Sequence, residues 1–138
     1  MVNKQYNAAY ELLVNKSNKI LNKNAFVDDF DSITYSELKK NVQSFSFSLL
    51  NTGLKKNDRI LICMYDSISY PICFLGTIWA GIIPVCINTM LPKKELKYML
   101  DDSEARAVIC SENLMDEFLE LRKDNKKKYF IIFRSKGR

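Results

Sequence analysis

The sequence predicts an α/β fold, a mainly parallel sheet with helices on both faces and a small N-terminal hairpin. Three observations carry that reading. Short apolar, β-branched segments alternate with helix-period segments along most of the chain, which implies strands joined by covering helices. One strand segment, RILICM at 59–64, is an unbroken apolar run after its first residue, as found where a strand is buried on both faces. With 138 residues and 47% hydrophobic content, the chain can build one domain with a real core.

Asn7 to Lys16 reads as a helix with Ala9, Leu12 and Leu13 near one face, followed by a polar, Asn- and Lys-rich connection. AFVDD and SITY read as two short strands, and Asp29-Phe30-Asp31 between them supplies turn chemistry for a hairpin. Thr34 and Glu37 have capping-box spacing, and Leu38, Val42, Phe45 and Leu49 then recur at helical intervals until Gly53. Lys55 to Asp58 turns the chain into RILICM. A helix follows, with Ser67 or Ser69 as its cap and Pro71 in its first turn, running to Ala80 and ended by Gly81.

IIPVCIN is short and β-branched, so it reads as the strand that completes a βαβ crossover, with Pro84 at a bulge or an unpaired position. Pro92 opens a helix carrying Leu96, Met99 and Leu100, and RAVIC is the next strand. Ser111 caps a helix with Leu114, Phe118 and Leu121, and YFIIF is a last strand.

Phe74 to Asn88 contains no charged residue in a chain that is 27% charged. It is too short to span a bilayer, and Gly76, Gly81 and Pro84 interrupt it. The expectation is a central helix pressed onto the sheet, with Gly76 permitting close backbone approach, followed by a central strand. The N-terminus lacks an apolar core followed by a small-residue cleavage site, so a soluble cytoplasmic protein is expected.

The formal charge of +5 is unevenly placed: residues 122–138 carry a net +7, leaving −2 on residues 1–121. A basic tail without an RNA- or DNA-binding motif reads as a solvated charge run, so no nucleic-acid partner is expected. The four cysteines, Cys63, Cys73, Cys86 and Cys110, lie in apolar surroundings without a CxxC pair, and the chain has no histidine. Buried free thiols are expected, not a metal or disulfide framework.

The same absence of histidine rules out a Ser/His/Asp triad or Cys/His pair drawn from this chain alone. Neither GxxxxGK[ST] nor GxGxxG occurs. Asp28-Asp29 and Asp101-Asp102 read as solvated element ends, and Asp58-Arg59 as a fixed strand entrance. No catalytic and no metal-ligating residue is identified. The most site-like segment is NTMLPKKEL, Asn88 to Leu96, because it leaves the carboxyl end of a strand, where ligands bind in open α/β sheets. There Lys93 and Lys94, in a first helical turn, could meet a phosphate; a solvated lysine pair is the alternative.

The blocks TYSEL, GLKKNDRI, FLGTIWAGIIPVCINT and YMLDDSEARAVI stand in a familiar order. Over Tyr6 to about Leu114 the chain resembles the N-terminal subdomain of the adenylate-forming (AMP-dependent) acyl-CoA ligases, and is most similar to their benzoate-CoA ligase branch. The resemblance implies a two-step reaction in which ATP and a carboxylic acid give an acyl-adenylate and pyrophosphate, and coenzyme A then gives the thioester and AMP. ATP, coenzyme A and Mg2+ are the implied cofactors. Family members also carry a Ser/Thr/Gly-rich phosphate loop and a C-terminal catalytic lysine, neither of which is found here. In some relatives a basic residue after the Asn-Pro or Asn-Thr corner contacts coenzyme A phosphates; here that place is Met90, with Lys93 and Lys94 as nearby substitutes.

The domain reading is therefore a partial α/β subdomain of an AMP-binding ligase at 1–121, then a basic C-terminal tail at 122–138 that includes the last strand. The chain corresponds to roughly the first quarter of a ligase, inactive alone, whose partners are the second N-terminal subdomain and the C-terminal domain. The alternative is a standalone module binding coenzyme A, a nucleotide or a ligase partner. A third option is a tail-driven interaction with anionic polymers or membrane surfaces.

Overall fold

The computed structural model of this chain describes residues 6–14, 16–124 and 131–135. Helix α1 (Ala8–Val14) leads to a two-stranded antiparallel hairpin, β1 (Asn24–Val27) and β2 (Ser32–Thr34). Helix α2 (Tyr35–Asn51) follows directly. Then come β3 (Arg59–Cys63), α3 (Ser69–Trp79), β4 (Ile83–Cys86), α4 (Lys93–Asp102) and β5 (Ala107–Ser111). A 3-10 turn (Glu112–Leu114), α5 (Met115–Asp124) and β6 (Ile131–Ser135) end the described chain. The second sheet has four strands in the order β4-β3-β5-β6, every neighbouring pair parallel.

Why β3 reads as a continuous apolar run is visible in where its side chains go. Leu61 and Cys63, with Val108 and Cys110 of β5, pack beneath Leu96, Leu100 and Phe118 of α4 and α5. Ile60 and Ile62, with Ala107 and Ile109, face Leu49 of α2 and Cys73 of α3. Alternate residues thus feed two cores, as the two-residue side-chain period of a strand requires. A third cluster, including Ala9, Leu13, Ile33, Leu38, Val42 and Leu75, joins α1 and the hairpin to α2 and α3.

The hairpin hands the chain to α2 through the capping box. The Glu37 N–H donates to Thr34 Oγ1 at 3.2 Å, and the Thr34 N–H donates to Glu37 Oε2 at 2.9 Å. The Thr34 hydroxyl also donates to Glu37 Oε2, at 2.7 Å, and the backbone and hydroxyl bonds from Thr34 together hold the Glu37 carboxyl below its usual 4.5. Gly53, at φ +88, ends the helix in the left-handed region. Gly76 of α3 has no room for a Cβ, which would lie 2.6 Å from Phe45 Cδ1 and 3.2 Å from the Val42 carbonyl oxygen of α2. The close approach expected at Gly76 is made to helix α2, not to the sheet.

Asp58 and Arg59 fix the entrance to β3, each with a partner from before β5. Arg106 meets the Asp58 carboxylate at 3.1 Å, and Arg59 meets Glu104 at 2.6 Å. Asp58 Oδ2 also accepts the Lys55 N–H at 2.7 Å.

Several readings are corrected. Among the described strands β4 lies at the edge of the sheet, not in its centre, and Ile83 is 44% exposed. Its register on β3 runs unshifted from Ile83 to Cys86, so Pro84 sits at an unpaired position without a bulge. Ile83 and Ile87 donate to the Asp58 and Ile62 carbonyls, so alternation turns the missing donor of Pro84 to the free edge. Being on that edge, Cys86 is exposed, whereas Cys63, Cys73 and Cys110 are buried free thiols.

Neither Ser67 nor Ser69 caps α3. Its N-cap is Ile68, whose N–H donates to Asp28 Oδ2 at 2.9 Å from the hairpin turn. Asp28 is accordingly not a solvated end; its Oδ1 also accepts the Phe30 and Asp31 N–H groups. Ser111 makes no side-chain cap either. The described part of the last strand is Ile131–Ser135, which includes Ile131 to Phe133 of the YFIIF segment; Tyr129 and Phe130 lie outside the described residues, as does most of the basic tail.

Two predictions follow from this packing. Gly76→Ala should destabilise the fold by about 1 to 3 kcal/mol, the usual cost of overpacking, read from the urea midpoint; an unchanged midpoint would mean that α2 and α3 separate freely. Because the Glu37 carboxyl is lowered on folding, its contribution is present above the usual carboxylate pKa and lost as pH falls through the folded value. Glu37→Gln should therefore flatten the dependence of stability on pH below 4.5, and an unaltered slope in that variant would refute the assignment.

Candidate functional site

In a sheet ordered β4-β3-β5-β6, the chain leaves β3 for β4 on one side and returns from β4 to β5 on the other. The crevice outside the carboxyl ends of β3 and β5 is thus the switch point at which open α/β sheets place ligands. Three loops meet along that edge: 64–68 after β3, 87–92 after β4 and the 3-10 turn after β5. The Tyr65 N–H donates to Ser111 Oγ at 2.9 Å, tying the first loop to the third. Sequence reading gave Ser111 to the following helix because a serine before an acidic helix start looks the same in either role.

The NTMLPKKEL segment lies on this edge. Asn88 Oδ1 accepts the Met90 N–H at 2.8 Å, bending the chain and leaving Met90 87% exposed. Pro92, in extended backbone, is the N-cap of α4, and its carbonyl accepts the Glu95 and Leu96 N–H groups. Lys93 and Lys94 are the first two residues of that helix, both exposed. They do not share one environment. Lys93 Nζ pairs with Glu120 Oε2 of α5 at 2.5 Å, whereas Lys94 stands on the exposed first turn. The lysine hydrogen bond holds the Glu120 carboxyl below 4.5. A cation pair at a helix N-terminus can bind an anion, and Lys93 brings its own carboxylate.

The thiols at this edge are not nucleophiles at neutral pH. Burial pushes Cys63 up to about 12 and Cys110 up to about 11, so both stay protonated. Tyr70 is likewise pushed up, first by burial and then by its hydrogen bond with Cys86. Among the described residues no group of three or more His, Cys, Asp or Glu is placed to hold a metal ion. Among the described residues no helix is long and apolar enough to cross a membrane.

Beside the loop after β3, a groove of about 670 Å³ opens between α1, the hairpin and the start of α3. Leu12, Phe26, Val27, Pro71 and Phe74 give it apolar walls, and Asp28, Asp29 and Asp66 also line it. Sequence reading missed it, because its residues come from three separate segments, and the exposure of Leu12, Phe26 and Val27 appears only once these are brought together.

Comparison with known proteins agrees with this architecture. The family profile described as AMP-binding enzyme matches residues 14–136, which takes in β6 beyond the blocks legible by eye. The benzoate–CoA ligase of Thauera aromatica is 39% identical over 119 residues, covering 83% of this chain and 22% of that protein. A 4-hydroxybenzoate–CoA/benzoate–CoA ligase of Rhodopseudomonas palustris is 34% identical over 122 residues, covering 88% of this chain and 23% of that one. The crystal structure of a benzoate CoA ligase from Burkholderia xenovorans superposes with a TM-score of 0.87 at 33% identity, over 96% of this chain and 26% of that one. The chain thus spans about a quarter or less of the length of these relatives. With its parallel sheet, covering helices and hairpin matched over residues 14–136, this chain belongs to the AMP-binding enzyme family of adenylate-forming ligases.

Proposed function

We propose that these residues form part of an ATP-dependent carboxylic acid–CoA ligase acting on an aromatic acid such as benzoate, in the cytoplasm. The observation that carries this reading is the 39% identity to a benzoate–CoA ligase over 83% of the chain. In the proposed reaction a carboxylate oxygen attacks the α-phosphorus of ATP, the bond to the β-phosphate breaks, and pyrophosphate leaves. The coenzyme A sulfur then adds to the acyl carbonyl and AMP departs with the electrons of the broken C–O bond.

The part we assign to this chain is positional. The doubly covered sheet holds the loops after β3, β4 and β5 in fixed relation, so that binding groups need no reordering when substrates arrive. Lys93 and Lys94 at the start of α4 would meet coenzyme A phosphates, with Lys94 the better placed because Lys93 is shared with Glu120. No step is assigned to Mg2+ here. The 138 residues hold neither a glycine-rich phosphate loop nor a histidine, and we assign them no chemistry alone. The second N-terminal subdomain and the C-terminal domain are the proposed partners.

A chimera in which this chain replaces the matching segment of the Thauera aromatica ligase tests the reading. Benzoate-dependent exchange of pyrophosphate into ATP is expected from the chimera and none from the isolated chain; a well-folded chimera without exchange would sink the ligase assignment. Lys94→Ala in the chimera should raise KM for coenzyme A roughly tenfold, equivalent to about 1.4 kcal/mol, and leave the exchange reaction unchanged. A fall in exchange, or an unchanged KM, would remove Lys94 from the coenzyme A site.

A further inference from the structure

The groove beside the hairpin has properties that a finished surface does not. Val27 is 69% exposed on one wall and Phe30 is 70% exposed on the adjoining turn. Contiguous apolar surface of this kind marks an interaction site. The Ser67 Oγ, in the same lining, is shielded from solvent without a hydrogen-bond partner among the described residues. Buried hydroxyls are almost always paired, so this one points to a missing neighbour.

Charge narrows what that neighbour is. The lining contains three carboxylates, Asp28, Asp29 and Asp66, and no lysine or arginine. Asp28 is occupied by the Phe30, Asp31 and Ile68 N–H groups. Asp29 and Asp66 are exposed and enter no ion pair among the described residues. An anionic small molecule is disfavoured by this rim, and a free cation by the apolar walls. A polypeptide segment with an apolar face and a Lys or Arg beside it satisfies both.

We infer that the groove between α1, the hairpin and α3 is the docking surface for such a segment, apolar with a flanking cation, supplied by the remaining part of the ligase. The assignment of the occupant rests on the ligase reading above. Its apolar side chains cover Phe26, Val27 and Phe74, its cation meets Asp29 and Asp66, and a polar group reaches Ser67.

The test is co-expression of tagged chain with the portion of the Thauera aromatica benzoate–CoA ligase that lies outside the match, read by co-purification and by benzoate-dependent exchange. Association of the wild-type chain is expected, with an at least tenfold weaker complex for Asp29→Lys/Asp66→Lys and for Val27→Asp. Glu95→Lys/Asp102→Lys, the same charge change on exposed positions of α4, should bind as wild type. Thermal melts of each variant exclude loss of fold as the cause. Undiminished association of the groove variants, equal weakening of the α4 control, or no association of the wild-type chain would each overturn the groove assignment. Groove-dependent association without exchange would support the docking surface and count against the ligase activity alone.

Discussion

The structure depends on the burial of β3 from both sides. Because its side chains alternate between two cores, its register fixes the helices of both layers at once: α4 and α5 over Leu61 and Cys63, α2 and α3 over Ile60 and Ile62. A slip of one residue would exchange the two sets. The Asp58–Arg106 and Arg59–Glu104 pairs at its entrance are partly exposed and contribute little energy individually. They align the starts of β3 and β5, while the sandwiched strand supplies the stability.

What was legible in the sequence was what local chemistry decides. Thr34 with Glu37, Gly53 and Gly81, and the alternation of strands with helices all led to elements where they were expected; a close contact at Gly76 was expected too, though against the sheet and not against α2. What was not legible depends on partners far along the chain. Ser67 and Ser69 have the right chemistry for a cap, yet the Ile68 N–H is taken by Asp28, forty residues earlier. The edge position of β4 was hidden because an apolar strand looks the same whether its neighbour is present or not.

The candidate site shows the same division. That Asn88 to Leu96 sits at the carboxyl edge follows from its leaving a strand of a parallel sheet, which the alternation of strands and helices implies. That Lys93 is engaged and Lys94 is presented differently does not, since Glu120 lies 27 residues away on another helix. The cysteines divide likewise. Three face the cores as composition implied, and Cys86 departs because it belongs to a strand with one uncovered flank.

That flank carries Pro84. A strand from a second copy of the protein laid against β4 would meet a ring where an amide donor is needed, and would lose a rung of its ladder at the middle of a four-residue strand. In the described sheet the ring therefore removes one rung from the pairing of any further strand along β4. It does so without adding a charge to a stretch whose inner side must remain apolar.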